Sequence, residues 1–265
     1  MDRKKNKIQK WIFGLLSIVI MLPVYASLDE KLVDFHKTKF NKLAMDLWEY
    51  SELGYQETQS VDAIASILEG EGFTVKKNVA NIPTAFIAEY GNDGPVIGIL
   101  GEFDALPGLA QTRAAFREIE NNATGAGQAC GHHLFGAASA WAAVIVKDWL
   151  KENGINGTIR FYGTPAEEGG SGKVYMVRAG LFKDVDIVLH WHPDDQNSAN
   201  IATNNSNKSA KFLFKGISTH AAGAPDMGRS ALDGVESMNM MVNMMREHIP
   251  QESRIHYVIT KGGLA

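Results

Sequence analysis

The chain has 265 residues, 45% hydrophobic and 21% charged, enough to bury a core in one large or two smaller domains. A net charge of −4 supplies no basic face, so nucleic acid is not an expected partner. With Cys130 as its one cysteine, a disulfide framework is excluded.

The N-terminus carries Arg3, Lys4, Lys5, Lys7 and Lys10, then an apolar run from Trp11 to Pro23, then Val24-Tyr25-Ala26 ahead of Ser27. A basic head, a short apolar stretch and small residues at the third and first positions before a cut describe a secretory signal peptide over 1–26. The run is short for a span of about 20 apolar residues. Cleavage, no stable membrane span afterwards, and a periplasmic or secreted location are therefore expected. In an oxidising compartment a lone cysteine needs a role other than pairing.

Residues 34–49 predict an amphipathic helix, with Phe35, Phe40, Leu43, Leu47 and Trp48 on its apolar stripe. A polar loop over 52–57 leads to a second helix over 60–70, stopped by Gly70 and Gly72. Short strands are expected over 73–76, 84–90 and 96–100, with Gly91-Asn92-Asp93-Gly94-Pro95 turning the chain between the last two. Gly101-Glu102-Phe103-Asp104-Ala105-Leu106-Pro107-Gly108 sits at a strand exit, where ligands gather in open α/β sheets. Residues 109–129 read as a surface loop. The stretch 134–153 reads as an apolar helix to be buried against a sheet. A central strand over 157–162, a short helix over 173–179 and a strand over 185–190 follow. Beyond about 197 the texture turns polar. A strand over 210–215, a loop with His220, a methionine-rich helix over 229–248 and a strand over 254–260 suggest a second, smaller α/β domain. Residues 27–200 are then one unit and 201–265 another.

Three polar stretches carry the chemistry. Cys130 and His132, separated by Gly131, can hold one ion from a tight turn; thiolate and imidazole suit zinc, and carboxylates also suit manganese. The alternative for Cys130 is a buried structural thiol. Glu167 and Glu168 sit at a strand end between Pro165 and three glycines. As neighbours they should point different ways, one toward a metal and one toward substrate. His190 and His192 should share a strand face with Trp191 opposite. His192, beside Pro193, is the better placed ligand, with His190 as the alternative and His133 behind the site. Gly170-Ser171-Gly172-Lys173 superficially suggests a phosphate loop, but that pattern needs glycine at Glu167 and Ser or Thr at Val174. The methionines at 238, 240, 241, 244 and 245 read as a soft core or interface face.

Taken together, 101–108, Cys130-Gly131-His132-His133, 161–173, Trp191-His192-Pro193 and the segment from His220 to Leu232 resemble the dinuclear metallo-amidohydrolases of the aminoacylase and glutamate-carboxypeptidase superfamily. The nearest resemblance is to its p-aminobenzoyl-glutamate hydrolase branch. The resemblance implies a zinc-peptidase-like catalytic domain, a mixed sheet flanked by helices, with a smaller α/β lid or dimerisation domain. It implies two divalent ions, zinc or manganese, with Cys130, His132, Glu168 and His192 on ligand positions. Glu167 falls on the general base, Asp104 on the acidic residue behind the metal site, and His220 on a histidine that reaches into the site of a second copy and steadies the oxyanion. The implied partners are a small amide substrate and a second copy of the chain. The implied reaction is hydrolysis of an N-acyl or aminobenzoyl amino acid. The superfamily's metal-binding His-x-Asp is here Glu102-Phe103-Asp104, which throws the ligand set onto Cys130. Position 133 is His where the branch more often has Asn or Asp. Family members are much longer, so the chain reads as truncated, with a non-catalytic metal- or peptide-binding remnant as the alternative function.

Overall fold

The computed structural model describes residues 30–121, 124–199 and 203–264. The expected signal peptide lies outside the described residues. The chain forms two compact units, one ending at Asp195 and the other starting at Gln196.

In the first unit, α1 (Glu30–Tyr50) buries His36, Phe40, Leu43 and Leu47. These lie at i, i+4, i+7 and i+11, one stripe of a 3.6-residue helix. Phe35, expected on that stripe, falls a hundred degrees off it and is 80% exposed. The α2 helix (Thr58–Gly70) starts two residues earlier than the sequence suggests. The buried Glu52 carboxylate caps it, accepting from Gln59 N at 3.0 Å and Ser60 N at 2.9 Å, which satisfies orphan donors of the first turn.

The strands are β1 (Thr74–Lys77), β2 (Phe86–Tyr90), β3 (Val96–Gly101), β4 (Leu106–Pro107), β5 (Ala126–Gly127), β6 (Thr158–Gly163) and β7 (Ile187–Leu189). Five form a mixed sheet in the order β1-β2-β6-β3-β7, while β4 and β5 pair separately. β6 is central, antiparallel to β2 and parallel to β3, which is itself parallel to β7. The 109–129 loop thus gains a strand at its end, because Leu106 pairs with Gly127 across it.

Helix α3 (His132–Asn153) packs between the sheet and α1, burying Phe135, Ala137, Ala140, Ala143 and Val144. Phe86 and Phe161 meet at 5.6 Å in the core, with Phe40 stacked on Trp141 at 5.9 Å. On the sheet's other face Tyr162 stacks on Phe182 at 4.2 Å, near Met176 of α4 (Gly172–Arg178). His36, Glu71 and Asp148 cluster between α1 and α3, with His36 Nε2 2.8 Å from Asp148 Oδ2. Lys147 and Lys39 pair with the two carboxylates, so this group balances its charge internally.

In the second unit, α5 (Ala231–Met245) starts where Ser230 Oγ accepts from Asp233 N. The strands expected over 210–215 and 254–260 do not form: neither segment finds a ladder partner among the described residues. Apolar side chains such as Phe212, Leu213 and Val258 stay exposed there. A strand requires pairing as well as composition. No helix among the described residues is long and apolar enough to cross a membrane.

Candidate metal centre

The candidate site lies where the parallel strands β6, β3 and β7 end beside the start of α3. Gly101 and Gly163 are register partners at the ends of β3 and β6. Thr164 N donates to Gly101 O at 2.9 Å, so the two strands release their following residues side by side. Glu102 and Asp104 leave one strand, and Glu167 and Glu168 leave the other. Gly131 caps α3 with φ +80, a left-handed turn that suits glycine and places Cys130 and His132 close together.

His132 is fully buried and stands at the centre. Its Nδ1 lies 3.0 Å from both the backbone O and Oδ1 of Asp104. Its Nε2 lies 2.9 Å from Glu102 Oε2 and 3.9 Å from a carboxylate oxygen of each of Glu167 and Glu168. Cys130 Sγ is 3.4 Å from His192 Nε2, and the rings of His132 and His192 are 5.6 Å apart. Two ligand sets therefore share His132: Cys130 with His192, and Glu102 with Glu167. Asp104 Oδ2 accepts from Glu168 N at 2.9 Å, so this carboxylate orients both the imidazole and the acidic turn. A carboxylate on Nδ1 sets a histidine's tautomer and leaves Nε2 to act as ligand.

The charges interact strongly. Burial would push His132 down, but the bonds and charges of Asp104 and Glu102 outweigh it and hold it up at about 10. Burial would push Glu102 up, but His132 and Lys173, which pairs with Glu102 Oε1, hold it down at about 2. Burial, then contact with Glu168, pushes the Cys130 thiol up to about 12. Burial, then the His132 charge, pushes His133 down to about 4. That ring turns away from the cluster and meets Trp48 edge-on at 5.0 Å.

Several details differ from the sequence expectation. β7 ends at Leu189, so His190, Trp191 and His192 escape the alternation of a strand, and all three rings lie against Phe135. Of the two histidines, His192 faces Cys130, while His190 Nε2 lies 3.7 Å from Glu102 Oε1. Glu167 and Glu168 do not diverge: left-handed Ala166 bends the turn so that both approach one imidazole. Glu102, read only as a departure from His-x-Asp, is buried inside the cluster, and Lys173 enters it from α4. Position beside Asp104 at a strand exit was the available signal for Glu102; Lys173 stood out in the sequence only within a phosphate-loop pattern that the chain does not complete. His220 belongs to the second unit, where its Nδ1 accepts backbone N–H bonds from Ala222 and Gly223.

A mixed α/β sheet with thiol, imidazole and carboxylate groups gathered at its parallel strand ends defines a metallopeptidase-like protein. The chain belongs to peptidase family M20/M25/M40, whose profile matches residues 98–255. It is 44% identical to a p-aminobenzoyl-glutamate hydrolase component of Escherichia coli K12, over 92% of this chain and 50% of that protein. It is 27% identical to the Xaa-Arg dipeptidase of Mus musculus, over 88% of this chain and 52% of the relative. It thus spans about half the length of these relatives. Among solved structures, the Bacillus subtilis YXEP protein, described as a dinuclear metal-binding peptidase of the M20 family, superposes with TM-score 0.51 at 32% identity, over 63% of this chain and 45% of that one.

Proposed function

We propose that this chain carries the metal-binding part of an exported amidohydrolase acting on N-acyl or aminobenzoyl amino acids, p-aminobenzoyl-glutamate among them. The observation that carries the reading is the convergence of Cys130, His192 and the carboxylates of Glu102, Glu167 and Glu168 around the fully buried His132 ring. Three carboxylates crowded beside one buried imidazole repel one another, and a divalent cation would offset that repulsion. Cys130, His132, Glu168 and His192 would hold it, with Glu102 adding a further oxygen. This mixed donor set suits zinc, and its carboxylates also accommodate manganese. Two bound ions would supply carbonyl polarisation and water activation.

The chain's own residues supply the rest. Glu167 is the proposed general base. Burial, then the Glu102 and Glu168 charges, pushes its carboxyl up, and Lys173 and His132 limit the rise. A carboxylate tuned this way both holds and releases a proton more readily near neutrality. Asp104 fixes the His132 ring. His220 is the proposed oxyanion donor, contributed across a homodimer. The exposed Met240, Met241 and Met244 of α5 support an interface on that unit.

The test is ion content by atomic spectroscopy, together with hydrolysis of p-aminobenzoyl-glutamate and an N-acyl amino acid panel. Glu167→Gln is expected to keep its ions and lose turnover by about 10²-fold or more. Ion uptake without turnover in the wild type would instead favour a metal-binding role. Export is tested by N-terminal sequencing of the secreted protein, expected to begin near Ser27.

A further inference from the structure

We propose that Glu57 is a positioning residue for the Glu167–Glu168 turn, an inference that rests on the proposed hydrolytic reading. Glu57 is fully buried at the end of the 52–57 loop, which sequence alone shows as merely polar. Its Oε1 accepts the backbone N–H of Ala166 at 2.8 Å. Ala166 immediately precedes Glu167, is 1% exposed, and has φ +55, a left-handed conformation that an alanine adopts only when its surroundings impose it.

Those surroundings come from the same loop. A Cβ on Gly54 would lie 2.9 Å from the Ala166 side chain, so the loop backbone packs directly on it. Tyr55, itself at φ +66, donates its hydroxyl to Gly170 O at 2.5 Å. The loop is anchored in turn by Ala105 N donating to Glu52 O at 2.8 Å. The acidic turn is therefore held at two points, by Glu57 on the Ala166 amide and by Asp104 on the Glu168 amide. Glu57 touches none of the clustered ligand atoms. It acts by fixing the backbone from which Glu167 projects.

The experiment compares Glu57→Ala, Glu57→Gln and Glu57→Ala combined with Ala166→Gly in the full chain. Misplacing a base by about 1 Å costs up to about 100-fold in rate. Glu57→Ala is thus expected to lower kcat by about 10- to 100-fold with KM within about two-fold. Glu57→Gln keeps the acceptor oxygen and should stay within about three-fold of wild type. Glycine adopts positive φ without the alanine penalty, so Ala166→Gly should restore at least part of the loss, which a purely structural role for Glu57 would not allow. An unchanged kcat in Glu57→Ala, or no recovery in the double variant, overturns the proposal. Crystal structures of the same variants give a readout independent of turnover: φ at Ala166 should leave the left-handed region in Glu57→Ala. If the wild type hydrolyses nothing, the functional reading fails, and the Ala166 conformation alone decides whether Glu57 positions the turn.

Discussion

Replacing Asp104 by Asn removes one charge while keeping the side chain's shape. In the wild type one buried carboxylate serves two donors, His132 Nδ1 at 3.0 Å and Glu168 N at 2.9 Å. Asn offers one acceptor oxygen and an NH2 group, so one of the two donors must face another donor. If the His132 side loses, the tautomer that leaves Nε2 as a ligand is no longer favoured. If the Glu168 side loses, the acidic turn lifts. Removing a carboxylate behind a ligating histidine typically costs 10–100-fold in metal affinity, about 1.4–2.7 kcal/mol. Competition titration of Zn²⁺ or Co²⁺ against a chromophoric chelator measures it, with circular dichroism confirming that the variant is folded. A folded Asp104→Asn protein that binds metal within two-fold of wild type refutes this role for Asp104.

Metal uptake should depend steeply on pH. His132, held at about 10, and Cys130, pushed up to about 12, both carry protons at neutrality. Ion binding through both should release about two protons, and affinity should rise up to about 100-fold per pH unit; calorimetry in buffers of different ionisation enthalpy counts the protons, and finding none released refutes it. In chelator-treated protein the His132 value is raised from 6.5 to about 10, so its stabilising contribution is full below pH 6.5 and is lost as pH rises through 10. Glu102 behaves oppositely: lowered from 4.5 to about 2, it contributes fully above 4.5 and loses that contribution as pH falls through 2. Urea midpoints across pH should therefore converge between wild type and His132→Gln toward pH 10; a constant difference refutes the linkage. His36→Ala should cost about 2–4 kcal/mol of stability, because it removes a buried ring and takes one partner from each of Asp148 and Glu71; urea denaturation measures it, and a loss below about 0.5 kcal/mol contradicts a structural role for that cluster.

Much of this protein is local in origin. The helices follow from apolar residues spaced at helical period, the strands β2, β3 and β6 from short apolar runs closed by glycine, and the site's location from polar residues at strand exits. Cys130, His132, Glu167, Glu168 and His192 stand out in the chain because such residues at such exits have few purely structural uses. Tertiary structure decided what local pattern leaves open. Glu102 and Lys173 are ordinary charges until the parallel pairing of β3 with β6, and the placement of α4, bring them together beside His132. Glu57 has significance only through Ala166, more than a hundred positions away in the chain. The expected strands over 210–215 and 254–260 had strand composition but found no ladder partner among the described residues. Residue type and spacing act over a few positions of chain, whereas burial, the electrostatics of four clustered carboxylates and the pairing of strand edges depend on groups that only folding makes neighbours.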